Sequence, residues 1–134
     1  MTDVTHEILA ALNAHDVDRF VALFAEDYRS EQPPHPGREF QGAQRVRENW
    51  TAVFAGVPDF AAALLSSATS EGVELGEWRW RGHHADGSSF DMRGVTVLGI
   101  EAGRVQWGRL YMEPVDEVTE TIDEMVAKTY KPPA

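Results

Sequence analysis

Four groups of side chains carry whatever chemistry this sequence can perform. Glu31 stands in the proline-rich stretch Ser30–Gly37. If its carboxyl turns inward among Tyr28, Trp50 and Trp80, desolvation raises its pKa and makes it a general acid or base. Left on a solvated loop, it is only a surface charge. His84 has an ordinary pKa suited to proton transfer near neutrality, or it is a plain turn histidine beside Asp86. Asp91 and Arg93 share a strand face that Arg79 and Arg109 also reach. They form a charged catalytic cluster if that face lines a pocket, and an ionic lattice if it faces outward. The last group is apolar: Trp50, Phe54, Trp78, Trp80, Met92, Leu110 and Met112 are candidates to line a ligand pocket or to be ordinary core. Tyr28 is either a hydrogen-bond donor to a ligand carbonyl or a cap on the helix before it.

Several chemistries are excluded. The chain has no cysteine, so thiolate nucleophiles, disulfides and cysteine-based zinc sites are absent. His83 and His84 are adjacent and point to opposite faces. No His-x-His or His-x-x-x-His spacing occurs, so no metal site is expected. There is no glycine-rich phosphate loop and no G-x-S-x-G. No metal or organic cofactor is expected.

These residues need elements to hold them. Val4, Ile8, Leu9 and Leu12 fall on one helical face, predicting a helix over about Thr2–Ala14 capped by Thr2 or Asp3. Val17, Phe20, Val21 and Phe24 predict a second helix, ended by the three prolines and glycine that follow. Val46, Trp50, Val53, Phe54 and Val57 predict a third, after Gly42 and before Pro58. From Phe60 the texture becomes strand-like. Phe60–Ser70, Val73–His84, Ser88–Ile100 and Arg104–Val115 read as strands, the last three joined by the turns Ala85–Gly87 and Glu101–Gly103. A final amphipathic helix is expected over about Asp116–Lys128. Helices followed by hairpin-linked strands read as α+β, with an antiparallel sheet and helices on one face.

Strand alternation then sorts the faces. Gly76, Trp78, Trp80, Gly82 and His84 share one face with Phe90, Met92, Gly94, Thr96, Leu98 and Ile100, and with Gly108, Leu110 and Met112. The opposite face mixes Glu77, Arg79, Arg81, Asp91, Arg93, Arg109 and Glu113 with Val95, Val97, Trp107 and Tyr111. A β-bulge at Gly94 would exchange these assignments. The first face must meet the helices. The second, with an apolar centre and an ionic rim, suits contact between two copies of the chain.

At 134 residues the chain is expected to form one domain over 1–134. Twelve basic against 22 acidic residues give a net charge of −10, so such a surface repels nucleic acid and anionic lipid. No run approaches the ~20 apolar residues of a membrane span. The N-terminal stretch MTDVTHEILAAL has acids and no Lys or Arg, unlike a signal peptide; a cytoplasmic location is expected.

The helical opening ALNAHDVDRFVALFAEDY, the proline break, GAQRVRENWTAVFAGVPDF and the ending FDMRGVTVLGIEAGRVQWGRLYMEP together resemble the SnoaL-like branch of the nuclear transport factor 2 and ketosteroid isomerase-like superfamily. The resemblance implies a curved sheet wrapped around N-terminal helices to form a conical pocket, often in a dimer through the outer sheet face. It also implies a spread of chemistries, from cyclases, isomerases, epoxide hydrolases and dehydratases to non-catalytic modules. In cyclase-like and epoxide-hydrolase-like members the last strand carries an inner acid/base aspartate. Here that position is Leu110, so those mechanisms do not carry over. The D-H-x-P pattern of cyclase relatives appears as Ser30-Glu31-Gln32-Pro33. The combined expectation is a binder of a small hydrophobic or amphipathic molecule. It is either a cofactor-independent proton-transfer enzyme of isomerase, cyclase or dehydratase type with Glu31 or His84 as catalytic residue, or a non-catalytic ligand-binding or association module. A homodimer through Val95, Val97, Trp107 and Tyr111 is expected.

Overall fold

The computed structural model describes residues 3–130. Asp3 accepts a hydrogen bond from the backbone N–H of His6 and so starts α1, Val4–Asn13. Val4, Ile8, Ala11 and Leu12 are its buried face. Asp16 caps the short α2, Val17–Val21, in the same way through the N–H of Arg19. The expected second helix therefore forms but stops early. Phe24 does not continue it; Phe24–Glu31 is an extended strand, β1. A single 3-10 turn at Pro36–Arg38 and the two-residue strand β2, Phe40–Gln41, follow within the proline-rich break. Helix α3 runs Ala43–Gly56, and β3 to β6 are Ala61–Ser70, Val73–His83, Ser89–Glu101 and Arg104–Pro114. The last helix, α4, is Ile122–Thr129, beginning some six residues later than its amphipathic pattern suggests. Its start is set by Thr121, which accepts from the Glu124 N–H while its hydroxyl donates to the Glu124 carboxylate.

All six strands form one curved, unclosed sheet in the order β2-β1-β6-β5-β4-β3. The pairs from β3 to β6 are antiparallel, as expected. The unexpected member, β1, pairs parallel to β6 and antiparallel to β2. The sheet is thus mixed, with its parallel pair joined through the whole intervening chain.

The register settles the faces. Trp78 stands opposite Gly94 and Trp80 opposite Met92 without interruption, so no bulge at Gly94 reverses the parity. Register shifts occur instead between Leu64 and Ser66 on β3, and between Gly99 and Ile100 where β5 meets β6. Trp78, Trp80, Thr96, Leu98 and Met112 are buried against the helices. Arg79, Arg93 and Tyr111 lie on the opposite side.

One buried acid sits among these apolar residues. Glu74 shares the inner parity, and its carboxylate accepts from the Thr5 N–H at 2.7 Å, the Thr5 hydroxyl at 2.7 Å and the Val4 N–H at 3.3 Å. The sheet thereby satisfies the first turn of α1, whose N–H groups have no partner within the helix. The charge also faces the positive end of the helix dipole.

Candidate functional site

Between the helices and the concave side of the sheet lies a cavity of about 220 Å³. Helices α1, α2 and α3 supply Ile8, Leu12, Phe20, Val46, Asn49, Trp50 and Val53, and the sheet supplies Tyr28, Ser30, Trp78, Trp80, Thr96, Leu98 and Leu110. Gln32 and Phe40 complete the wall from the proline-rich segment. The aromatic rings contact one another edge to face. Trp50 on α3 meets Trp80 on β4 at 5.2 Å between centroids, and Phe20 meets Trp50 at 5.2 Å. On the β1 side Phe24 and Tyr28 are 4.8 Å apart. Such contacts add to the burial of large apolar surfaces and hold the rings in fixed orientations.

The polar groups of the wall are few. Thr96 Oγ1 accepts the Trp78 indole N–H at 2.9 Å. The Trp80 indole N–H is buried and has no acceptor among the described residues. Tyr28 is 3% exposed. Burial pushes its phenol above the usual value of 10.0, and the Ser30 hydroxyl beside it lowers it in part. The phenol is therefore neutral and a proton donor at any physiological pH. Its hydroxyl fits because residue 108 is glycine: a Cβ there would lie 2.5 Å from the phenolic oxygen. Among the described residues Tyr28 is the one titratable side chain of the lining.

The sequence candidates divide accordingly. Tyr28, Trp50, Trp78, Trp80 and Leu110 line the cavity. Phe54 instead stacks on His15 at 4.7 Å, and Met112 is packed in the core. Met92 and His84 line a separate surface groove with Phe90, Asp91 and the segment after β6; the His84 ring meets Phe90 edge to face at 5.8 Å. Glu31 does not turn inward. Tyr28 and Ser30 take the buried parity of β1, so Glu31 faces out with Arg29, 3.7 Å from its guanidinium. The charged cluster also lies outside. Asp91 receives a bidentate pair from Arg79, Nε to Oδ1 at 3.2 Å and Nη2 to Oδ2 at 3.0 Å. This Arg79 bond holds the Asp91 carboxyl below the ordinary carboxylate value. Arg109 covers the Trp107 ring at 4.5 Å, a cation–π contact on the outer face. Ser30, Gln32, Asn49 and Thr96 are wall residues that pattern reasoning missed. The signal for Ser30 was its two-residue spacing from Tyr28, legible only once β1 is read as a strand.

A family model described as a SnoaL-like domain matches residues 5–107. Among curated proteins none matches the chain. Solved structures share the fold at low identity. A Catenulispora acidiphila protein of ketosteroid isomerase-like fold, in complex with trimethylamine, is 13% identical over 83% of this chain and 85% of its own, with a TM-score of 0.72. IdmH of Streptomyces antibioticus, a polyketide cyclase candidate, is 18% identical over 82% and 89%, with a TM-score of 0.72. A Mycobacterium tuberculosis protein in complex with estradiol-17beta-hemisuccinate is 18% identical over 81% and 89%, with a TM-score of 0.69. No helix among the described residues is long and apolar enough to cross a membrane. With its six-stranded curved sheet, its N-terminal helices and a family match over most of its length, the chain belongs to the SnoaL-like domain family within the nuclear transport factor 2 and ketosteroid isomerase-like fold.

Proposed function

We propose that this chain binds a small uncharged hydrophobic or amphipathic molecule in the cavity between its helices and sheet. The observation that carries the reading is the wall itself. It is aromatic and aliphatic, with a neutral phenol as its one titratable group and a few hydroxyl and amide groups to orient a polar end. Ligand sites have this character. A 150 Å³ apolar cavity accepts benzene, so a cavity of about 220 Å³ suits a molecule of one or two rings. Fold relatives bound to estradiol-17beta-hemisuccinate and to trimethylamine support small-molecule binding as a use of this scaffold. Proton-transfer catalysis would need a base on the wall. Glu31 and His84, the residues first suited to that role, face elsewhere, which favours the binding reading over the enzymatic one. A homodimer through Val95, Val97, Trp107 and Tyr111 belongs to the same proposal, because Tyr111 and, two strands away, Leu75 leave 38% of their surfaces exposed on the outer sheet face.

The test uses 1-tetralone, a two-ring ketone, as probe. It should quench the emission of Trp50, Trp78 and Trp80 and raise the melting temperature by mass action, by about 2.7 kcal/mol of stabilisation at a hundred times Kd. Leu110→Trp, which fills the cavity from the sheet side, should abolish both effects. A stabilisation that persists in Leu110→Trp places the ligand elsewhere and overturns the reading.

A further inference from the structure

Helix α4 has no fully buried side chain in the folded chain, and within it only Met125 is half-buried. Its eight residues are well short of the ~12–15 that an isolated helix needs in water. Its apolar stripe is unburied: Ile122 is 68% exposed, Val126 42% and Tyr130 68%, with Val118 just before it at 85%. Ile122 and Val126, one turn apart on the helix and flanked by Val118 and Tyr130 just outside it, leave an apolar surface to be covered.

The outer side of the sheet is the matching surface. Its centre is apolar, with Leu75, Val95, Val97, Trp107 and Tyr111, and arginines stand around it. Arg79 is held by Asp91 and Arg29 by Glu31, but Arg81, Arg93 and Arg109 make no ion pair among the described residues. The α4 segment is the electrostatic complement. It carries Asp116, Glu117, Glu120, Asp123 and Glu124 beside its apolar stripe, and among the described residues only Glu120 has a cationic partner, Lys128 at 3.5 Å. Dimensions agree as well. Eight helical residues span about 12 Å, and the two spacings across β4, β5 and β6 about 10 Å, so α4 can cross those three strands. The seven residues 115–121 reach up to about 24 Å when extended, enough to pass from one molecule to another.

We propose that α4 is an arm that docks on the outer sheet face of a second copy of this chain, with its acids meeting Arg81, Arg93 and Arg109 of that copy. The occupant is a second copy because the acids of α4 complement the arginines of that face that have no ion pair among the described residues, while Ile122 and Val126 stay exposed in the folded chain. Exchange between two copies satisfies two-fold symmetry: each molecule gives one arm and receives one. The inference rests on the reading of that face as an interface between copies. It replaces direct sheet-on-sheet contact with helix-on-sheet contact.

Light scattering on full-length variants separates the possibilities. The wild type should be a dimer at tens of micromolar. Trp107→Arg should be a monomer under either arrangement. Ile122→Glu combined with Val126→Glu changes only exposed side chains, so folding is retained, and it should weaken dimerisation at least a hundredfold. A double variant that stays dimeric while Trp107→Arg is monomeric overturns the arm and leaves direct sheet contact. A monomeric wild type overturns the interface altogether. Because the chain has no cysteine, Val126→Cys and Tyr111→Cys chains can be mixed and oxidised. The expected product is a disulfide between different chains. A chain carrying both cysteines that closes onto itself instead shows that α4 covers its own sheet, and overturns the exchange.

Discussion

Alanine at position 108 tests whether the cavity floor is built as described. Gly108 lies on β6 between Leu98 of β5 and Ser30 of β1. An added methyl would stand 2.5 Å from the Tyr28 hydroxyl oxygen, 3.2 Å from Leu98 Cδ2 and 3.4 Å from Tyr28 Cε1. The leucine methyl can yield by a small rotation. The phenol cannot, because its ring is held between Phe24 at 4.8 Å and Phe40 at 6.2 Å. Overpacking of this kind costs about 1–3 kcal/mol. Replacing a strand glycine by alanine returns roughly 0.5–1 kcal/mol of chain entropy, so a net loss of about 1–2 kcal/mol is expected. With about 2.1 cal/mol/K of unfolding entropy per residue, a chain of 134 residues should lose roughly 4–7 °C in melting temperature. The decisive assay is a thermal double-mutant cycle over wild type, Gly108→Ala, Tyr28→Phe and the pair. Phenylalanine removes the oxygen and leaves only the 3.2 Å and 3.4 Å contacts, so Gly108→Ala should be close to neutral in that background. The coupling should be at least 1 kcal/mol, within the range of residues in contact. Equal destabilisation by Gly108→Ala in both backgrounds would refute the placement of the phenol over Gly108.

Two further predictions concern stability. Glu74→Ala removes the acceptor of three hydrogen bonds from Val4 and Thr5 and leaves a buried helix start unsatisfied, so urea unfolding should show a loss of about 3 kcal/mol; a loss under 0.5 kcal/mol would show that the contact contributes nothing. The second is acid sensitivity. Asp91 is held below the usual 3.8 first by its bond from Arg79, and Asp59 by its bonds from His83. Carboxyls depressed in the folded state stabilise it above the unfolded value and lose that contribution as pH falls through the lower folded values. Melting temperature should therefore be level above about pH 5 and drop below 3.8, with Asp91→Asn showing a shallower drop. Asp59 is exposed and Asp91 half-buried, so 1 M salt should flatten the same limb in part; an unchanged slope in Asp91→Asn would remove Asp91 from the account.

Strands β4 to β6 were legible because they are long, alternate clearly and are joined by short turns, while the alanine-rich β3 carries little alternation. Period-two patterning survives the neighbouring elements when both faces differ so sharply, with Trp78 and Trp80 on one side and Arg79 and Arg81 on the other. Helices α1 and α3 were legible for the corresponding reason at period 3.6. The Asp3 cap and the break at Gly56–Pro58 fixed their ends. Glu74 was not legible. Its inner position follows from parity, but its partners are the N–H groups of Val4 and Thr5, about seventy residues away in sequence, and no local pattern announces a carboxylate that closes a distant helix.

The misplacement of Glu31 has one cause, and it reaches the function. Phe20, Val21 and Phe24 satisfy helical spacing, so the second helix seemed to run into the proline break and Tyr28 to end it. Under that reading Glu31 has no face and is free to turn inward. The helix ends at Val21 instead, and β1 finds its partner in β6, eighty residues on. Parallel pairing of distant segments leaves no turn in the sequence, and only tertiary contact selects it. Once β1 is a strand, the side chains of Tyr28, Ser30 and Glu31 are no longer independent. Burying the phenol against Gly108 turns Ser30 inward beside it and Glu31 outward to Arg29. The same parity that brings a neutral donor to the cavity takes the carboxylate away. With leucine at position 110, neither β1 nor β6 presents an acid to the cavity. That is the physical ground for reading the site as one that binds.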